Sequence, residues 1–158
     1  MQTFDLDHFQ SLLKTVTDKI AGEPLDNTLE IKLNKTFPPQ GEVFSAIKKC
    51  CQVGISEGIL CKHEAGGIKF GRIIKATDDL DGHSVDVVEM QAVVGPHHRH
   101  PNGEIDLIMP LSEQAEFDGH GAGWLVYGPD SAHCPTVTDG SAIVLYLLPQ
   151  GAIEFTRH

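Results

Sequence analysis

The sequence predicts a mainly β fold, a sandwich or barrel of short strands set behind a helical front that ends near residue 60. Three observations predict it. From Ile68 onward, short runs rich in Val, Ile, Leu, Phe and Tyr are separated by Gly, Pro, Asn, Asp and Ser. Before residue 60, two stretches carry apolar residues at helical spacing. With 158 residues, 41% hydrophobic and 22% charged, the chain suits one globular unit with a sizeable core.

Residues 5–21 read as an amphipathic helix. Asp5 or Asp7 can cap it, Phe9, Leu12, Leu13, Val16 and Ile20 recur at helical spacing, and Gly22 followed by Pro24 stops it. Residues 26–35 carry two competing signals. Leu29, Ile31 and Leu33 alternate as in a strand, whereas Asp26 and the Asn, Glu and Lys content suit a short helix. Pro38-Pro39-Gln40-Gly41 is a break, residues 42–56 form a second helix with Val43, Phe44, Ile47, Cys50, Cys51 and Ile55 on a broad face, and Gly58 ends it. Strands are expected at Ile68–Ala76, Ser84–Val94, Glu104–Pro110, Ala115–Phe117, Trp124–Tyr127, Ala132–Val137, Ser141–Leu148 and Ala152–Thr156. The division is therefore a helical extension over 1–60 and a β-domain over 61–158. The extension is read as a cover over the barrel mouth or an arm toward a second subunit.

A net charge of −10 argues against a nucleic-acid surface, yet leaves room for a small anion held by a local arginine. No apolar run approaches the roughly 18 residues that span a bilayer. Met1-Gln2-Thr3-Phe4-Asp5 lacks the layout of a secretory signal. Cys50, Cys51, Cys61 and Cys134 have no C-x-x-C spacing, which suits free thiols in a reducing cytoplasm.

The chemistry gathers at Gly95-Pro96-His97-His98-Arg99-His100-Pro101-Asn102-Gly103-Glu104. On a strand, His98 and His100 share a face, and His97 points the other way. Pro101-Asn102-Gly103 is a turn signal, so the chain doubles back and brings Glu104 beside the two imidazoles. A second cluster runs Gly123-Trp124-Leu125-Val126-Tyr127-Gly128-Pro129-Asp130-Ser131-Ala132-His133-Cys134, and His133 there supplies a further imidazole. Three imidazoles and one carboxylate, with positions left for water or substrate, suit a first-row transition metal.

These clusters resemble the two motifs of the cupin superfamily. His98, His100 and Glu104 match the first, and Gly123, Pro129 and His133 match the second. The departures fall in turns: Ala92 stands where the first motif has Gly, Pro110-Leu111 where it usually ends with Gly, and no Asn follows His133 at the usual interval. The resemblance implies a double-stranded β-helix, or jelly-roll, barrel with an N-terminal helical extension. It also implies one divalent ion held by His98, His100, Glu104 and His133, with iron, manganese, zinc or nickel all compatible, and a homodimer.

A narrower resemblance covers nearly the whole chain. Glu57–Cys61, Gly66–Arg72, His100–Pro110 and Leu145–Pro149 are similar to phrases of the 4-hydroxylaminobenzoate lyase family. That implies conversion of 4-hydroxylaminobenzoate, a small aromatic carboxylate, to 3,4-dihydroxybenzoate and ammonia in nitroaromatic breakdown. Such chemistry needs a proton donor and a base. Asp106, two residues after Glu104 and on its face of the strand, is the candidate beside Glu104, against the plainer reading of a solvated carboxylate. Among Arg72, Arg99 and Arg157, Arg72 is chosen to clamp the carboxylate, since Arg99 faces away from the metal. An iron dioxygenase of a small aromatic acid, using the same ligands, and a non-catalytic metal-containing binding protein are the alternatives. Cys134 is expected to be small and buried, and His8, His63, His83 and His158 to be solvated. His120 reads as a loop residue, and Trp124, Tyr127 and Tyr146 as core or pocket wall.

Overall fold

A computed structural model describes residues 3–156. Arg157 and His158 therefore lie outside the described residues. Three helices lead: α1 (Leu6–Ile20), α2 (Asn27–Thr36) and α3 (Glu42–Ser56). Asp5 caps α1 by accepting from the His8 N–H at 3.2 Å, and Asp26 caps α2 by accepting from the Leu29 N–H at 3.0 Å. The cap resolves the competing signals in residues 26–35. Leu29 and Leu33, four apart, are buried while Ile31 between them is 61% exposed, so the apolar residues follow helical and not alternating spacing.

Eleven strands follow: β1 (His63–Ala65), β2 (Ile68–Ile74), β3 (His83–Gln91), β4 (His98–His100), β5 (Glu104–Pro110), β6 (Glu116–Phe117), β7 (Gly123–Tyr127), β8 (Ser131–His133), β9 (Val137–Thr138), β10 (Ser141–Pro149) and β11 (Glu154–Phe155). They build an antiparallel six-stranded sheet in the order β1-β2-β3-β10-β5-β7, a three-stranded sheet β11-β4-β8 and the pair β6-β9. The expected single strand Ala132–Val137 is two short ones, because Pro135 cannot donate to a ladder and the chain leaves β4 to pair with β6 instead.

Strand alternation divides the large sheet into two buried faces. One face carries Val85, Val87, Ile105, Leu107, Leu145 and Leu147 and shares a core with helical Phe9, Leu13, Val16, Leu33 and Ile47. The other carries Val88, Ile108, Val144, Tyr146 and Leu148 and packs with Phe117 and Val137 of the β6-β9 pair. The helices thus cover the outer face of the sheet and not the barrel mouth. Their apolar stripes are used inside the chain.

α2 also closes an edge. The Asn34 side chain donates to the Trp124 carbonyl at 2.9 Å and accepts from the Trp124 N–H at 2.8 Å, while Glu30 accepts from the Val126 N–H at 2.8 Å. A helix therefore supplies the pairing that a further strand would give β7. Gly123, at φ +138, permits the approach, since a Cβ there would stand 2.7 Å from Asn34 Oδ1. Asn34→Ala strands two backbone groups of Trp124 and is expected to cost about 2–4 kcal/mol in urea unfolding, against about 0.5 kcal/mol or less for exposed Ile31→Ala on the same helix.

Candidate metal centre

β4 and β5 are joined by a tight turn in which the Gly103 N–H donates to the His100 carbonyl at 3.2 Å. Gly103 sits at φ +87, and a Cβ there would meet the Tyr127 carbonyl at 2.7 Å, so glycine is required. The turn passes the chain from the three-stranded sheet to the six-stranded one, and along one edge of β4, His98 pairs in register with His133 of β8. Register and turn bring His98, His100, Glu104 and His133 together, one ligand atom from each lying within 4.8 Å of the others.

The Nε2 atoms converge on Glu104. His100 Nε2 lies 3.1 Å from Oε2, His133 Nε2 3.5 Å from Oε2 and His98 Nε2 3.5 Å from Oε1, while His98 and His133 Nε2 are 3.1 Å apart. His100 Nε2 and both Glu104 oxygens are buried without an aligned hydrogen-bond partner, which is costly unless something else satisfies them. Ligand atoms about 2.1 Å from a common ion stand roughly 3.0–3.4 Å apart, close to the spacings seen here. Nitrogen and carboxylate donors of this kind fit a divalent transition ion. The cluster can hold a metal.

Two of the imidazoles are held from behind. Ser131 Oγ donates to the Gly128 carbonyl at 2.6 Å, so it accepts from His100 Nδ1–H at 2.9 Å. Asp118 Oδ2 accepts from His133 Nδ1–H at 2.6 Å and from the Tyr127 hydroxyl at 2.5 Å, and Oδ1 accepts from the Thr136 N–H at 2.8 Å. In both histidines a proton is held on Nδ1, and Nε2 is the atom turned toward Glu104. Sequence reading missed Asp118 in this role. It comes from the loop after β6, and only the β6-β9 pairing carries it to His133.

The two carboxyls of β5 behave oppositely. Burial alone would raise Glu104, but the three imidazoles against it hold it well below the usual carboxylate range. Asp106, fully buried, is pushed well above that range by burial and by the charge of Glu104. Both Asp106 oxygens lack a hydrogen-bond partner in the structure, so the solvated-carboxylate reading is set aside.

A cavity of about 490 Å³ opens from His98 between the sheets. Its wall is mostly apolar, with Ile68, Phe70, Val88, Met90, Tyr146 and Phe155. Arg72 is its one guanidinium. Arg72 Nε donates to Asp86 Oδ1 at 2.7 Å, and Nη2 donates to Asp86 Oδ2 and to the Gly151 carbonyl, each at 3.2 Å. It is thus an ion-paired residue that also lines the cavity. Arg99 lies on the far face of β4, paired with Asp130 and Glu154.

Other residues fall differently from expectation. Cys134 is exposed, because β8 ends at His133 and the alternation that would have turned Cys134 inward does not reach it. His83 is buried and its Nδ1 lies 2.9 Å from the Leu80 carbonyl. His8, His63 and His120 are exposed. Trp124 belongs to the helix-side core, whereas Tyr146 lines the cavity and Tyr127 packs on His133 with ring centres 4.5 Å apart.

Facing antiparallel sheets, with an H-x-H, a glutamate and a distant histidine converging between them, define a cupin. Residues 11–155 match the family model described as PnbB: 4-hydroxylaminobenzoate lyase, and the chain belongs to that family. The 4-hydroxylaminobenzoate lyase of Nocardioides sp. (strain LMS-CY) is 30% identical over 152 residues, covering 90% of this chain and 88% of that protein. The enzyme of the same name from Pseudomonas putida is 28% identical over 155 residues, covering 87% and 88%. Among solved structures, DMSP lyase DddQ from Ruegeria pomeroyi aligns with a TM-score of 0.44 at 18% identity, over 95% of this chain and 96% of that one. An RmlC-like cupin from Ralstonia eutropha aligns at 0.44 and 11% identity, over 59% and 62%. No helix among the described residues is long and apolar enough to cross a membrane.

For His133, burial works to depress the pKa, but Asp118 and Glu104 outweigh it and raise it to about 9. A raised pKa means the proton is held below that value and lost as pH rises through it, whereas a metal needs the neutral ring. Loading at pH 7 is therefore expected to release about one proton from His133. The release should fall by half near pH 9, as read by calorimetry in buffers of different ionisation enthalpy.

Proposed function

We propose that the protein is a metal-dependent lyase converting 4-hydroxylaminobenzoate, or a closely related hydroxylamino-aromatic acid, to 3,4-dihydroxybenzoate and ammonia. The observation that carries this is a metal-binding cluster opening at His98 onto an apolar cavity with one guanidinium in its wall. Membership of the lyase family supports it. Overall the reaction adds one water and loses one ammonia without net oxidation, so it requires no oxygen. His98, His100, Glu104 and His133 would hold a divalent ion, with iron, manganese, zinc and nickel all fitting the donors, and that ion would supply Lewis acidity toward the hydroxylamino group.

The chain's own groups have distinct tasks. The apolar walls hold the ring flat and exclude water from it. Arg72 binds the carboxylate. Asp86 occupies Nε and Nη2, which orients the fork and leaves Nη1 as the edge for a ligand oxygen. Asp106 is kept protonated, so it can donate to the departing oxygen. Glu104 is the carboxylate member of the metal set and holds negative charge against the imidazoles.

Register supports this division of labour. Arg72 pairs with Asp86, Asp86 with Tyr146, and Tyr146 with Asp106, in one row across the sheet. Three strand spacings separate the ends, roughly 14 Å at the backbone. A para-substituted benzoate therefore has its anion site and its proton donor at opposite ends of one row.

Elemental analysis of the purified protein combined with an assay under nitrogen tests the reading. Formation of 3,4-dihydroxybenzoate and ammonia is expected, and oxygen consumption tied to turnover would instead select the iron dioxygenase. Ligand binding without product would select the non-catalytic alternative. Arg72→Lys is expected to raise KM roughly tenfold through loss of the fork geometry. Asp106→Asn is expected to lower kcat by about 10²–10⁴-fold with metal content retained.

A further inference from the structure

Asp118 lies outside the metal-ligand set and outside the proposed reaction groups, yet it is the most heavily engaged polar side chain near them. Its Oδ2 accepts from His133 Nδ1 at 2.6 Å and from the Tyr127 hydroxyl at 2.5 Å, and its Oδ1 accepts from the Thr136 N–H at 2.8 Å. Its own N–H donates to the Thr136 carbonyl at 2.8 Å. The backbone there takes φ +50, a region L residues enter rarely and Asp or Asn most readily. The residue is thus held at both ends of its side chain and through its main chain.

We propose that Asp118 is the positioning residue of the metal centre, acting through His133. His133 is the ligand that most needs such help. It stands 35 residues from His98 and, unlike His98 and His100, is 11% exposed at its side chain. It also stands just before Cys134-Pro135, where the strand breaks. An acceptor-only carboxylate on Nδ1 fixes the proton there, aims the Nε2 lone pair at the site and makes the imidazole a better donor. Tyr127 completes the bracket, because its ring packs on His133 at 4.5 Å and on His100 at 5.4 Å while its hydroxyl holds the same Asp118 oxygen. His100 has only the neutral Ser131 hydroxyl on its Nδ1, so the two histidines are supported unequally.

This inference rests on the metal reading of the four-residue cluster, and the test separates the two. The probe is cobalt(II). Protein loaded with it is titrated with a competing chelator, and the visible absorption of the bound ion is recorded for wild type, Asp118→Asn, Tyr127→Phe, His133→Ala and the Asp118→Asn/His133→Ala pair. Asn suits the positive φ and can still accept from Nδ1, so Asp118→Asn is chosen to keep the fold, which circular dichroism checks. Asp118→Asn is expected to weaken cobalt retention by about 10–100-fold and to shift the absorption bands. Tyr127→Phe is expected to weaken retention a few-fold. In the His133→Ala background, Asp118→Asn should have no further effect, since its route to the metal is gone. Unchanged affinity and spectrum in folded Asp118→Asn, with wild type binding tightly, would overturn the role of Asp118 alone. An equal loss with and without His133 would do the same. A wild-type protein that retains no cobalt would overturn the metal reading, and the inference with it.

Discussion

A carboxylate with no solvent exposure, set between two apolar sheets, needs positive charge within reach, because an unpaired buried ion is too costly to keep. Glu104 is that group. Its two oxygens face three imidazole nitrogens, and neutral imidazoles alone cannot satisfy it. Either protons or a metal ion must supply the charge. The rear contacts of His100 and His133 hold one proton on each Nδ1 and turn Nε2 toward Glu104, so that charge can come from a second proton on His133 or from an ion that replaces it. The remaining architecture follows from keeping this cluster dry and correctly aimed.

The division of the large sheet into two buried faces serves that end. One face is given to the helices, so the strands are anchored from outside and the interior is freed for chemistry. The opposite face changes character along β5, from Ile108 in the apolar core to Asp106 and Glu104 toward the metal cluster. Glu104 and Asp106 stand two residues apart on one strand, and their surroundings push them in opposite directions: the imidazoles hold Glu104 low, while burial and the charge of Glu104 raise Asp106. One face of one strand thus holds two carboxyls whose proton affinities are driven apart.

How much of this was legible in the sequence depended on how local each relation is. His98, His100 and Glu104 lie within seven residues on either side of one tight turn, so strand alternation and a turn signal were enough to group them, although β4 and β5 join different sheets and form no ladder with each other. His133 needed the order of motifs along the chain, and the two helices of clear apolar period needed only periodicity. Residues 26–35 were ambiguous because Leu29, Ile31 and Leu33 fit both periods, and the Asp26 cap with tertiary burial decided the matter. Asp118 was illegible. Its tie to His133 passes through the short β6-β9 pair, for which no local pattern exists. Cys134 was misread because the strand expected to hold it ends at His133, and His83 because β3 starts one residue earlier than expected and buries it beside the Leu80 carbonyl.

The α2 contact with β7 has a consequence for assembly. A sheet ends in two edges, and each can recruit another chain. Here Asn34 takes both backbone groups of Trp124 and Glu30 takes the Val126 N–H, so a second molecule would have to displace α2 to pair there. Strand-to-strand association of the large sheet must then use β1 at its other end. Ala65 of β1 lines the same cavity as His98, so that edge borders the cavity wall. The helix that closes one margin of the sheet thus leaves the cavity beside the opposite one.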